Sequence, residues 1–205
     1  MSSTDLSALV SARLCHDLIS PMGAIGNGLE LLQMSQGAGA DELSLINDSL
    51  ATALAKLRFF RVAFGPAEPD ARLSFDEAAQ ITDGMFHGRF TVGWTPTRGG
   101  MSRPTARLAC LAILCVEKSL PLGGALGIDV VEDRIDLRLD GARTSPPADL
   151  WAHVTTGAPL GTLRSDSVQF ALIRADLEAS GRSLTADFSA TGLALRVTSP
   201  SPALV

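Results

Sequence analysis

The amino-acid sequence predicts an α + α/β fold, in which an N-terminal helical hairpin forms a dimeric four-helix bundle and an α/β sandwich follows it. Two observations carry this prediction. Over about the first 64 residues, apolar side chains recur at three- and four-residue steps, as in amphipathic helices. Beyond a linker at residues 66–69, helical patterns alternate with short strand patterns. We therefore expect a hairpin domain at residues 1–65 and an α/β domain at residues 70–205.

The hairpin domain begins with a helix from about residue 4 to Gln33. A turn at Gly37-Ala38-Gly39-Ala40 follows, and a second helix begins with Asp41 as its N-cap and stops at Gly65-Pro66. The leucines and phenylalanines of the second helix recur at heptad-like spacing, so we expect them in the core. The apolar stripe of the first helix contains Leu6, Leu9, Val10, Leu14, Leu18, Met22, Ile25, Leu29 and Leu32.

Two amphipathic helices cannot enclose a core by themselves, because each leaves an apolar flank in contact with water. The simplest solution is a second copy of the hairpin, which completes a four-helix bundle across a two-fold axis. The sequence therefore predicts a homodimer.

The α/β domain has clear helix signals. Ser74 and Glu77 form a capping box at the start of a helix to about Met85. Pro104 lies where a first-turn proline belongs, at the start of a hydrophobic helix to about Ser119. The remaining predicted elements are strands at 89–94, 126–131 and 134–139, a helix at 166–179 that ends at Gly181, and a final hairpin of strands at 183–188 and 193–197.

Composition excludes several functional classes. The net charge of −5, without a Lys/Arg cluster, argues against nucleic-acid binding. The longest apolar run, Leu108 to Val116, is too short to span a membrane, and no basic signal-peptide region precedes the first helix. Cys15, Cys110 and Cys115 form no CxxC pair, which indicates a reducing compartment. We therefore expect a cytoplasmic protein.

The hexapeptide His16-Asp17-Leu18-Ile19-Ser20-Pro21 is the most informative motif. His16 lies two residues from both Leu14 and Leu18, so at about 100° per residue it points away from the apolar stripe. An imidazole in that position is accessible to another protein. Its neighbours on the same helix face are small: Ala12, Ser20, Gly23 and Asn27.

An exposed, neutral imidazole can take a phosphoryl group on nitrogen. Asp17 can accept a hydrogen bond from one ring nitrogen of His16, which would leave the other nitrogen's lone pair free for attack. A partner that carries Mg²⁺ could supply the positioning and charge neutralisation that phosphoryl transfer needs. Ser20 provides clearance, and Pro21 within a helix costs about 3 kcal/mol or introduces a kink.

The other candidate motifs are weak. His87 and His153 have no partners at metal-ligand spacing, so we predict no metal site and assign His87 to a helix end or loop. The segment Gly157–Gly161 is typical of an ordinary turn. The acidic residues in and directly after the 126–139 strand pair are expected on the solvent face or in the turn: Asp129, Glu132, Asp133, Asp136 and Asp140.

The hexapeptide resembles the phosphoacceptor motif of sensor histidine kinases, and residues 13–32 are closely similar to the ChpT-type histidine phosphotransferases of alphaproteobacteria. This resemblance implies a dimeric four-helix bundle that bears the histidine, followed by a degenerate kinase ATP-binding domain. It assigns catalytic roles to His16 and Asp17. The residues expected to support them or to form the docking surface are Arg13, Ser20, Pro21, Gly23 and Asn27.

The sequence departs from a working kinase at its nucleotide site. Kinases place Mg²⁺-binding asparagines on the helix that corresponds to residues 104–119, and this segment contains none. No Asp-x-Gly-x-Gly loop is present either. We therefore expect no ATP binding and no tightly bound cofactor.

The resemblance implies a relay of phosphoryl groups through His16. The donor would be the receiver-domain aspartate of a hybrid kinase such as CckA, and the acceptors would be regulators such as CtrA and CpdR, in cell-cycle regulation. The receiver would supply the Mg²⁺. Two alternatives remain open: a non-enzymatic dimeric adaptor that binds receiver domains, and an ATP-dependent histidine kinase with an unrecognised nucleotide site.

Overall fold

Two long helices, α1 (Ser3–Met34) and α2 (Ala40–Ala63), pack against each other as the predicted hairpin. The computed structural model describes residues 3–34, 39–95 and 98–199, so Gly37 and Ala38 of the predicted turn lie outside the described residues. The helices approach closely at Gly28, where an added Cβ would lie 2.6 Å from the Ile46 side chain.

The N-cap of α2 differs from the prediction. Gly39 occupies that position, and Asp41 lies in the first helical turn. A carboxylate in the first turn still stabilises the helix through its dipole, although it makes no capping hydrogen bond there.

The second part of the chain is a mixed sheet with helices, as predicted. Five strands lie in the order β2-β4-β5-β7-β6, in which β2 and β4 are parallel and the other pairs are antiparallel, while β1 and β3 form a separate two-stranded sheet. The elements are β1 (Arg72–Ser74), α3 (Phe75–Met85), β2 (Phe90–Trp94), β3 (Gly100–Ser102), α4 (Arg103–Glu117), β4 (Gly124–Val131), β5 (Arg134–Asp140), α5 (Ala148–Thr156), a 3-10 turn (Ser165–Ser167), α6 (Val168–Ser180), β6 (Ser183–Ser189) and β7 (Gly192–Thr198).

Local capping explains several of these boundaries. The Ser74 hydroxyl accepts the Glu77 N–H at 3.1 Å, which confirms Ser74 as the predicted N-cap of α3. Gly181 adopts the left-handed conformation that ends α6, with φ of 67°. The helix predicted from Asp166 begins instead at Val168, because the preceding three residues form the 3-10 turn. Helix α5 and the short strands β1 and β3 were not predicted.

The core lies between the five-stranded sheet and its helices. Every residue of α4 from Thr105 to Val116 except Arg107 is buried, and α2 enters the same core only at its C-terminal end, from Phe59 onward. Phe59 packs edge-on against Phe86, with 5.1 Å between ring centroids. These contacts attach the hairpin to the second domain.

The leucines of α2 were expected in the core of a dimeric bundle, and within a single chain they are only partly covered. No described segment fully covers Leu43, Leu50, Leu54 or Leu57, whose side chains are 43–46% exposed. The physical reason is that the α/β domain packs only on the phenylalanine end of the helix. Met22 and Leu29 of the α1 stripe are exposed as well.

A second correction concerns Asp136, which was expected to face solvent. It is 9% exposed on β5, because Arg134 and Arg196 both donate to its carboxylate. Within the described ranges, no helix is both long and apolar enough to cross a membrane.

Candidate functional site

His16 lies on the solvent side of α1, and its side chain is 80% exposed. Ile19, three residues further along the helix, is also largely exposed, at 72%. The four small residues predicted to share this face, Ala12, Ser20, Gly23 and Asn27, are exposed too. The imidazole is therefore accessible to an incoming protein, on a surface that Ile19 shares with these four small residues.

Asp17 lies beneath the imidazole and is only 14% exposed. The Nδ1–H of His16 donates to Oδ1 of Asp17 at 3.0 Å, and Nε of Arg13 donates to Oδ2 at 2.6 Å. Lys56 of α2 donates to the Asp17 backbone oxygen at 2.9 Å. A neutral His16 bonded in this way carries its proton on Nδ1, so the lone pair of Nε2 faces outward.

The second domain contacts this group through Arg13. Its terminal nitrogen donates to the backbone oxygen of Asp166 at 2.9 Å. The Asp166 carboxylate accepts from Lys118 at 2.7 Å and from the Ser167 hydroxyl at 3.0 Å. The hydrogen bond from Lys118 is the main reason that the pKa of Asp166 is lowered.

A cavity of about 450 Å³ opens beside Arg13, where α1, α4 and α6 meet. Glu117 lines it, and burial raises the pKa of this carboxyl, with a further increase from Asp17. The cations Arg13, Lys118 and Lys56 oppose that increase. The cavity is also lined by Arg89, Phe90, Leu114, Leu120, Pro121, Gly123 and Gln169.

The structure brings together only some of the residues that the sequence singled out. Asp17 forms hydrogen bonds with both Arg13 and His16. Among the described residues, no hydrogen bond joins Ser20 or Asn27 to any of these three side chains. Pro21 is buried within the continuous helix α1.

Sequence reasoning missed the groups contributed by other elements. Arg13 and Asp166 are 153 positions apart, and no local pattern marks such a pair. The missed residues are Lys56, Glu117, Lys118, Asp166 and Gln169.

Candidate metal and nucleophile groups elsewhere are sparse. Across residues 3–34, 39–95 and 98–199, no cluster of three His, Cys, Asp or Glu side chains could hold a metal ion. His87 is exposed between α3 and β2, as predicted, and Nδ1–H of His153 donates to the Ala158 backbone oxygen at 2.7 Å. Burial raises the pKa of the Cys110 thiol to about 12, so that thiol is inert at neutral pH.

Comparison with known proteins found one family model and several similar proteins. Residues 75–192 match the family model of the histidine phosphotransferase C-terminal domain. The chain is 35% identical over 150 residues to the protein phosphotransferase ChpT of Brucella abortus, a match that covers 71% of this chain and 66% of that protein. A solved bacterial phosphotransferase superposes with a TM-score of 0.80 at 29% identity, covering 97% of this chain and 98% of the other. A histidine kinase domain from Erythrobacter litoralis superposes with a TM-score of 0.43 at 15% identity, covering 96% and 93%.

The family model defines the class of this chain, which contains a histidine phosphotransferase C-terminal domain. The family model covers more than half of the chain, and the chain belongs to the histidine phosphotransferase family.

Proposed function

We propose that His16 accepts a phosphoryl group from the aspartyl phosphate of one receiver domain and passes it to the aspartate of another. The observation that carries this proposal is the pairing of an 80% exposed imidazole with a carboxylate that is only 14% exposed. The imidazole is free to meet a partner, while the group that orients it is held in the protein.

The transfer begins with attack of the Nε2 lone pair of His16 on phosphorus. The N–P bond forms while the bond between phosphorus and the carboxylate oxygen of the donor aspartate breaks, and the carboxylate leaves as an anion. The proton on Nδ1 stays on the ring, where the negative charge of Asp17 offsets the positive charge that the ring acquires. The same steps in reverse transfer the group to a second receiver.

Catalysis of such a step consists mainly of positioning and charge neutralisation. The receiver would supply Mg²⁺ bound near its own aspartate, and this cation would neutralise the phosphoryl oxygens. This chain would contribute the nucleophile and its orientation. ATP has no part in the proposed reaction.

The docking surface is the exposed side of α1 around His16. Ile19, three residues after His16, is 72% exposed and offers an apolar contact beside the histidine. Ser20, Gly23 and Asn27 are small enough to allow a close approach of the partner. An exposed apolar side chain among small residues suits a protein partner rather than a small substrate.

The exposed leucines of α2 are best covered by a second copy of this chain. Four leucines spaced along one helix, each 43–46% exposed, form an apolar stripe that water would otherwise contact. We infer a homodimer with a four-helix bundle. Sedimentation equilibrium at micromolar concentration tests it: a dimer is expected, and a monomer alone would contradict it.

The physiological partners proposed are a hybrid kinase of the CckA kind as donor and regulators of the CtrA and CpdR kind as acceptors, in the cytoplasm. The support is the resemblance of residues 13–32 together with the similarity to ChpT of Brucella abortus.

The experiment is transfer without ATP. The protein is mixed with a phosphorylated receiver and Mg²⁺, and acid-labile phosphate is sought on His16. Label should appear there and move to a second receiver. His16→Ala should abolish transfer without preventing dimerisation, whereas His87→Ala, which removes another exposed histidine, should transfer normally.

The two alternatives give different results in the same experiment. Receiver binding with no label on His16 would indicate an adaptor. Label that appears on His16 with ATP and without a phosphorylated receiver would indicate a kinase. Retained transfer in His16→Ala would refute the assignment of the acceptor.

A further inference from the structure

One arginine of the phosphoacceptor helix forms a hydrogen bond with the second domain. Nε of Arg13 donates to Oδ2 of Asp17 at 2.6 Å, and its terminal nitrogen donates to the Asp166 backbone oxygen at 2.9 Å. The Arg13 side chain is 16% exposed. One planar guanidinium therefore joins the carboxylate beside His16 to the turn that precedes α6.

That turn is itself held in place. Asp166 lies in the 3-10 turn, and Lys118, the residue that follows α4, donates to its carboxylate at 2.7 Å. The amide nitrogen of Gln169 donates to the same backbone oxygen that Arg13 uses, at 3.2 Å. The acceptor that fixes Arg13 is thus positioned by side chains from two elements of the second domain.

The two carboxylate oxygens of Asp17 have different partners, and this links the orientation of His16 to Arg13. One carboxylate oxygen accepts from His16 and the other accepts from Arg13. Because the carboxylate group is rigid and planar, the position of the oxygen that faces His16 depends on the position of the oxygen that Arg13 holds. The orientation of the imidazole therefore depends on where Arg13 is held.

We propose that Arg13 is a positioning residue, through which the turn at Asp166 and Lys118 orients His16 for phosphotransfer. The inference rests on the proposed function of His16. It gives the second domain a direct part in the reaction: the domain sets the tautomer and direction of the imidazole, in addition to any contact with the partner.

Replacing Arg13 with lysine distinguishes the geometry of its hydrogen bonds from its positive charge. Lysine keeps the positive charge of Arg13 but has a single ammonium group, which cannot reproduce the two fixed donor directions of a guanidinium. Arg13→Lys should therefore behave much like Arg13→Ala if positioning matters. If Arg13 only attracted an acidic partner, the lysine variant would retain most of the activity.

The first readout is the split between rate and binding. Single-turnover transfer from a phosphorylated receiver is measured over a range of receiver concentrations for wild type, Arg13→Lys and Arg13→Ala. We expect the rate constant at saturation to fall by roughly 10- to 100-fold in both variants, with an unchanged half-saturating concentration. Lys118→Ala removes the hydrogen bond that holds the turn, so its rate constant at saturation should also fall, but by less. Arg143→Ala, an exposed arginine elsewhere in the second domain, is the matched control.

The second readout needs no partner. Long-range ¹⁵N–¹H NMR of His16 reports which ring nitrogen carries the proton. In the wild type we expect the Nδ1–H form, and in Arg13→Lys and Arg13→Ala an increased share of the Nε2–H form. Because this measurement is independent of any receiver, it tests positioning even if no receiver proves to be a donor.

Folding is checked by circular dichroism and thermal melting, and the lysine variant keeps the test valid if the alanine variant unfolds. The proposal is overturned if Arg13→Lys transfers at the wild-type rate, or if its effect lies wholly in the half-saturating concentration. An unchanged His16 tautomer in both folded Arg13 variants would also overturn it.

Discussion

Replacing Asp17 with asparagine tests whether this carboxylate orients the imidazole. Asp17 uses one oxygen for Nδ1–H of His16 and the other for Nε of Arg13, whereas asparagine has only one acceptor oxygen. If the amide oxygen faces His16, the amide NH₂ meets the Arg13 donor. If the amide turns round, its NH₂ faces Nδ1 and favours the tautomer with the proton on Nε2. Either orientation loses one of the two bonds.

The magnitude follows from the exposure of the pair. Hydrogen bonds to charged groups contribute about 1.5–3 kcal/mol, and the 80% exposure of His16 places this bond at the lower end. Since 1.36 kcal/mol changes a rate tenfold, we expect Asp17→Asn to slow transfer by roughly 10- to 30-fold.

The assay is single-turnover transfer from a saturating phosphorylated receiver with Mg²⁺, without ATP, at constant pH. Asp70→Asn, which alters an exposed carboxylate just after the linker, is the matched control and should transfer at the wild-type rate. The reasoning is refuted if Asp17→Asn also transfers at the wild-type rate while His16→Ala is inactive.

Two further predictions concern stability. Burial raises the pKa of Glu117 above its ordinary 4.5, so the folded state binds the proton of this carboxyl more tightly than the unfolded state does. The resulting stabilisation is present below pH 4.5 and is lost as the pH rises through the folded-state pKa. Glu117→Gln should remove that loss, so its melting temperature relative to wild type should increase from pH 4.5 to 8; a constant difference would contradict the argument. Phe59 is fully buried against Phe86, and Phe59→Ala should lower the free energy of unfolding by about 3–5 kcal/mol in urea titrations, more than Phe64→Ala at a half-buried position; equal losses would be inconsistent with the packing.

The long elements of this fold could be predicted from the sequence because their signals are local. The capping serine of α3, the first-turn proline of α4 and the glycine that ends α6 each act on adjacent residues. Helix α5 escaped prediction because it has nine residues, of which Trp151 and Val154 are buried, too few for a clear period. Strands β1 and β3, with three residues each, have no detectable alternation.

The candidate site divides in the same way. His16 and Asp17 are neighbours in the chain, and Arg13 lies one helical turn before Asp17, so helix geometry alone brings the three together. The periodicity of α1 also determines that the imidazole faces outward.

Only the tertiary structure decided what lies behind this group. Lys56, Lys118 and Asp166 reach it from α2, from the end of α4 and from the turn before α6. Such contacts depend on which elements pack together, and packing is driven by the burial of apolar surface, which acts without regard to distance along the chain. The sequence by itself thus determined the nucleophile and its orienting carboxylate, whereas the packing of α4 and α6 against α1 decided what holds that carboxylate in place.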